Sequence, residues 1–170
     1  MKIFLDTNIV IYLARYNGYV MVGEPDQLLE HEDEGWQAEV SALKQLFDVH
    51  EVAGFRFATT PTIIEEMTHN PSPRWEREFL ELLVEHTRDC IAEEEIQFTE
   101  ELVQEVMRSL SPTFGKITND CLALAEAIVL ECDVFLTNDA KLARRVDPQG
   151  RIMIMRATGL LERWRDEDQL

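Results

Sequence analysis

Val134-Phe135-Leu136-Thr137-Asn138-Asp139 and Lys2-Ile3-Phe4-Leu5-Asp6-Thr7-Asn8 share one plan: an apolar run of strand length that ends on an acid flanked by Thr and Asn. A short continuous apolar run without alternation reads as a strand covered on both faces, the kind found in parallel sheets. The stretch Ile9 to Leu13 continues apolar without strand alternation and reads as a helix. Working outward, Trp36, Val40, Leu43, Leu46 and Phe47 recur at helical spacing over Trp36 to Val49, and Phe55 to Ala58 forms a second strand. Thr60 then stands as N-cap with Pro61 at the first helical position, which puts Glu65 and Glu66 in the opening turns of a helix that Pro71 and Pro73 end. Helices are expected over Arg74 to Thr87, Thr99 to Leu110 and Thr118 to Glu131, with a short strand within Cys90 to Phe98 and a break at Ser111-Pro112-Thr113. Ala140 to Arg145 reads as a short helix, Ile152 to Met155 as a last strand and Leu160 to Arg165 as a terminal helix. Strands alternating with helices predict an α/β fold of three layers, α/β/α, with a mostly parallel central sheet of four to five strands and helices on both faces.

The 170 residues suit a single domain, 1–170, able to bury one core without disulfides or a structural metal. Cys90, Cys121 and Cys132 are odd in number and show no metal-ligand spacing, which fits a reducing compartment. The apolar opening from Ile3 to Leu13 is interrupted by Asp6 and Asn8 and is too short to span a bilayer, so a cytoplasmic protein without membrane association is expected. The net charge of -17 argues against binding a polyanion through bulk electrostatics. That charge is uneven. No Lys or Arg occurs between Arg15 and Lys44, where Glu30, Glu32, Asp33 and Glu34 read as a solvated acidic stretch, whereas seven Lys and Arg residues from Lys141 to Arg165 crowd the other end.

Asp6 and Asp139 stand at the carboxyl ends of strands, the edge where open parallel sheets bind ligands. Each acid also has a local reading: Asp6 caps the helix that follows, Asp139 or Asn138 caps the next, Glu65 follows Thr62 at capping-box spacing, and Asp120 meets a helix dipole. Local capping does not explain why acids recur on elements that a parallel topology brings to one edge. Carboxylates gathered there either take up protons or bind a cation, and oxygen ligation favours Mg²⁺ or Mn²⁺ over zinc. His31, His50, His69 and His86 read as surface residues, and Trp36, Trp75 and Trp164 as core or interface.

Four stretches, Lys2 to Asn8, Thr62-Ile-Ile-Glu65, Asn119-Asp120-Cys-Leu-Ala123 and Val134 to Asp139, resemble in order the four acidic motifs of PIN-domain nucleases. The resemblance runs from Lys2 to about Arg156 and implies a PIN-like domain in which Asp6, Glu65, Asp120 and Asp139 hold Mg²⁺ or Mn²⁺ for RNA cleavage. Glu66 adjoins Glu65 and is the other candidate for the second acid. Asn8, Thr137 and Asn138 match the polar positions that orient carboxylates or water. Lys116, Lys141 and Arg144 are the expected contacts to substrate phosphates. Many members are toxins of the VapC type, so RNA as substrate, a small antitoxin and a homodimer are the implied partners. An insertion at about 20–50 separates this chain from the shortest members. Two other readings stand: a catalytically silent PIN-like module that docks a basic protein or nucleic-acid partner, and phosphoryl transfer through Asp6, for which Asn8 occupies the place of a second Asp.

Overall fold

The computed structural model describes residues 1–68, 100–114 and 119–167. Four strands, β1 (Lys2–Leu5), β2 (Arg56–Ala58), β3 (Val134–Leu136) and β4 (Met153–Met155), form one parallel sheet in the order β2-β1-β3-β4. The helices are α1 (Thr7–Arg15), α2 (Gln27–Glu30), α3 (Glu34–Ala53), α4 (Pro61–Thr68), α5 (Glu100–Phe114), α6 (Asn119–Val129) and α7 (Ala157–Glu167), with a π-helical turn at Gly18–Val22. Parallel strands joined by right-handed crossovers put α1 to α3, which carry the chain from β1 to β2, on one face. The same rule puts α4 to α6, which return it past β1 to β3, on the other. The packing agrees with two helical layers: α3 lies against α7 and the π-helical turn, and α5 lies against α6.

The central strands are covered on both faces because their side chains are apolar from Ile3 to Leu5 and from Val134 to Leu136. Ile3, Phe4 and Leu5 of β1 and Val134, Phe135 and Leu136 of β3 have no exposed surface. Phe4 pairs with Phe135 in the register, and their rings stack with centroids 5.4 Å apart. The long helix α3 begins where the Asp33 carboxylate accepts from the Trp36 N–H at 3.0 Å, and it ends at Gly54, whose φ of +65° is left-handed. Its face of Val40, Leu43 and Leu46 is fully buried in the common core.

Several expectations change. The helix at 100–114 runs through Pro112 instead of stopping before it. A proline in the last turn deprives only the carbonyl one turn back of its partner, and that residue, Arg108, is exposed to water. The stretch from Ala140 to Arg144 is a series of turns, tied by Ala143 N–H to Asp139 O at 2.9 Å, and does not propagate into a helix. The terminal helix starts earlier, at Ala157, and reaches Glu167. The acidic stretch is partly built in: Glu32 accepts from Arg15 at 2.8 Å and from Tyr16 at 3.0 Å. Trp36 packs 4.2 Å from Tyr12 and donates from Nε1 to the Tyr16 hydroxyl. Expectations for Pro71 to Thr87 and Cys90 to Phe98, including Trp75, fall outside the described residues. Among the described residues no helix is long and apolar enough to cross a membrane.

The stacked Phe4 and Phe135 rings close the centre of the sheet. Phe135→Ala is therefore expected to lower unfolding free energy by about 3–5 kcal/mol, read from urea titrations. A loss below about 1 kcal/mol, small for a core truncation, would show that the pair does not carry the core.

Candidate functional site

β1 and β3 are neighbours whose outgoing connections leave on opposite faces, so their carboxyl ends open the crevice expected at a topological switch point. Pairing of Leu5 with Leu136 sets Asp6 beside Thr137. The Asp6 N–H extends the ladder to Leu136 O at 3.0 Å, and the Thr137 N–H extends it to Met155 O at 2.9 Å. Asp6 is only 5% exposed. Its Oδ1 accepts from the Thr7 N–H at 2.8 Å, which caps α1, and its Oδ2 accepts from the Thr137 hydroxyl at 2.7 Å. The capping reading and the site reading of Asp6 thus hold together, one for each oxygen.

Thr137 also links the two terminal acids. Its hydroxyl donates to Asp6 and accepts from the Asp139 N–H at 3.1 Å. Asp139 is exposed, and its Oδ1 accepts from the Lys141 and Leu142 N–H groups at 2.6 and 3.1 Å. Asn8 reaches Asp6 Oδ2 at 3.4 Å. Among the described residues Asn138 makes no hydrogen bond to an acid. Its amide atoms are buried on the side of Tyr12, a residue whose hydroxyl is pushed up to about 12 by burial.

Asp120, in the first turn of α6, is the electrostatic meeting point. Burial raises its carboxyl above the ordinary value, Asp139 and Glu66 raise it further by repulsion, and Arg145 opposes them. Burial likewise raises Asp6, against the hydrogen bonds from Thr137 and Thr7, and Asp120 adds to the rise. Of the two adjacent acids on α4, Glu66 is the one seen near the others: its Oε2 accepts from the Thr7 hydroxyl at 2.7 Å. Glu65 lies on α4, with its side chain outside the described part of the structure.

Three participants escaped the sequence reading. Glu126, buried on α6, accepts from Thr60 and Thr62; burial raises its carboxyl, those two bonds lower it, and Glu66 raises it again. An acid among Cys121, Leu124, Ala125 and Ile128 was the available signal. Thr60 stands at the N-cap position of α4 as expected, its carbonyl accepting from the Ile64 N–H at 3.3 Å, but the donation of its hydroxyl to Glu126 was not foreseen. Arg145, not Arg144, is the cation felt by Asp120; its guanidinium donates to Thr113 O and lies 5.4 Å from the Phe114 ring centre. Lys141 and Arg144 are exposed close by in sequence, and Lys116 lies outside the described residues. So do His69 and His86, while His31 is exposed and His50 half-buried on α3 beside Phe47.

Among the described residues no three His, Cys, Asp or Glu side chains converge tightly enough to hold a metal ion as they stand. Charge couples Asp120 to Asp6, Asp139 and Glu66. The donor chemistry nevertheless fits a hard divalent cation: every candidate ligand is a carboxylate oxygen, and their mutual repulsion is what such a cation would relieve. No family model, curated protein or solved structure matches this chain.

The raised Asp6 carboxyl fixes a sign. A group that holds its proton more tightly when folded contributes stability below its unfolded value, near 4, and that contribution is lost as pH rises through the folded value. Without metal, Asp6→Asn should therefore melt at the same temperature as the parent or higher at pH 7, with the difference shrinking as pH falls towards about 4. Thermal melts across that range check it; a parent more stable than Asp6→Asn at pH 7 would mean that the Thr7 and Thr137 bonds outweigh burial.

Proposed function

We propose that this chain is a divalent-metal-dependent endoribonuclease of the PIN-domain kind. The observation that supports the reading is the gathering of four acids from distant stretches of sequence, Asp6, Glu66, Asp120 and Asp139, at one edge of the sheet, where Asp139 and Glu66 raise the Asp120 carboxyl and Asp120 raises that of Asp6. Glu66 takes the place of Glu65 in this assignment because its carboxylate is held by Thr7. These four acids would hold Mg²⁺ or Mn²⁺, which when bound supplies an activated water and neutralises charge at a phosphodiester.

The chain's own residues do the rest. Thr137 fixes the orientation of Asp6 and orders the turn that carries Asp139. Thr7, the first residue of α1, ties α4 to the same edge through Glu66. A net charge of -17 repels RNA at long range, so approach depends on local cations, and Lys141 and Arg144 are exposed close to Asp139 in sequence, with Arg145 beside them. A toxin role, a small antitoxin and a homodimer rest on the sequence resemblance alone.

The net charge, together with the absence among the described residues of a ready metal-holding trio, favours a second reading: a silent module that docks a basic partner. One experiment separates the two. Purified protein is incubated with mixed single-stranded RNA and Mg²⁺ or Mn²⁺, with EDTA, Asp6→Asn and Asp120→Asn as controls. Cleavage by the parent, abolished by each control, is the expected result; parent and variants equally inert would overturn the nuclease in favour of the module.

A further inference from the structure

Glu126 is a buried carboxylate with an unusual set of neighbours. It is 7% exposed, on a helix whose surrounding positions are apolar. The two buried acids away from the candidate site have guanidinium partners: Asp147 is 2.8 Å from Arg151 and Glu39 is 3.3 Å from Arg156. Glu126 has none among the described residues. Its Oε2 accepts from the Thr60 hydroxyl and its Oε1 from the Thr62 hydroxyl, both at 2.6 Å.

Those threonines bracket Pro61, the first residue of α4. α4 carries Glu66, and α6 carries both Glu126 and, about 9 Å earlier along its axis, Asp120. The contact therefore fastens the start of one acid-bearing helix to the other. A glutamine would reach both threonines as well, accepting from one hydroxyl and donating to the second. Hydrogen bonding alone thus does not call for a charge in this position, and burial and Glu66 both work against it.

We propose that Glu126 is a positioning residue for the acidic site: it clasps Thr60 and Thr62 to hold Glu66 on α4 in reach of Asp120 on α6, and its negative charge strengthens the site's hold on a divalent cation. The inference rests on the metal-binding part of the proposed function and extends it to a residue outside the four acids. Loss of the charge with the clasp kept should then separate two quantities that a purely structural residue would move together.

The test uses full-length parent, Glu126→Gln, and a Thr60→Val, Thr62→Val double variant, each titrated with Mn²⁺ by calorimetry and melted without metal. Glu126→Gln is expected to melt no lower than the parent while binding Mn²⁺ on the order of tenfold more weakly, the range for residues behind the direct ligands. The threonine variant, which breaks the clasp but keeps the charge, should also bind more weakly. Unchanged Mn²⁺ affinity in Glu126→Gln, with the parent binding, overturns this inference alone. A Glu126→Gln protein that loses melting temperature and affinity together assigns a structural role and overturns it too. A parent that binds no Mn²⁺ overturns the metal reading and this inference with it.

Discussion

The parallel pairing of β1 with β3, Leu5 opposite Leu136, is the constraint on which the rest of the molecule depends. It stacks Phe4 on Phe135 in the centre of the sheet and, one residue later, sets a carboxylate beside a hydroxyl. A slip of one residue would turn every side chain of β1 to the opposite face and separate Asp6 from Thr137. Because Ile3 to Leu5 and Val134 to Leu136 are all buried and apolar, alternation does not fix that register. It is fixed at the crevice end, where the Asp6 N–H, the Thr137 N–H and the Thr137 hydroxyl all find partners.

The fold was legible because its signals were local: apolar runs of strand length, helical spacing between them, and acids closing two of the strands. The first and last acids were legible for the same reason, since each closely follows its strand. The contact of Glu66 with Thr7 was not legible in the sequence, because adjacent helical residues differ by about 100° in direction and the contact depends on how α4 packs. Glu126 and Arg145 were missed because their partners are remote in the chain: Thr60 lies 66 residues from Glu126, and Arg145 acts on Asp120 across a turn of unpredicted shape. Pro112 misled because its position in the last turn, which makes it tolerable, depends on a helix end that the sequence did not define.

The segment at about 20–50 resembled an insertion, yet in the structure it belongs to the core. Val40, Leu43 and Leu46 of α3 are fully buried, and Glu39 of the same helix reaches the start of α7, accepting from the Thr158 N–H and hydroxyl at 3.2 and 2.6 Å. An acid placed there meets the positive end of the α7 dipole as well as Arg156. The first half of the chain is thereby fastened to its last helix, and α7 in turn follows β4, the strand that extends the sheet beyond β3.

Buried carboxylates in this protein fall into two physical kinds. Asp147 shows the first: burial pushes its carboxyl up, but hydrogen bonds and charge from Arg151 reverse this and leave it below the ordinary value. Glu39 likewise has a guanidinium beside it, that of Arg156, and accepts from the Thr158 hydroxyl at the α7 terminus. Asp6 and Glu126 are the second kind, both raised by burial and by a neighbouring acid, Asp120 for Asp6 and Glu66 for Glu126, and both held by hydroxyls. A sequence under selection for stability alone would replace the second kind with amides, which keep the hydrogen bonds without the repulsion. Asp6 stands at the switch point of the sheet and Glu126 behind it on α6, whereas Asp147 and Glu39 have guanidinium partners elsewhere, and it is this difference in surroundings on which the proposed role of Asp6 and Glu126 rests.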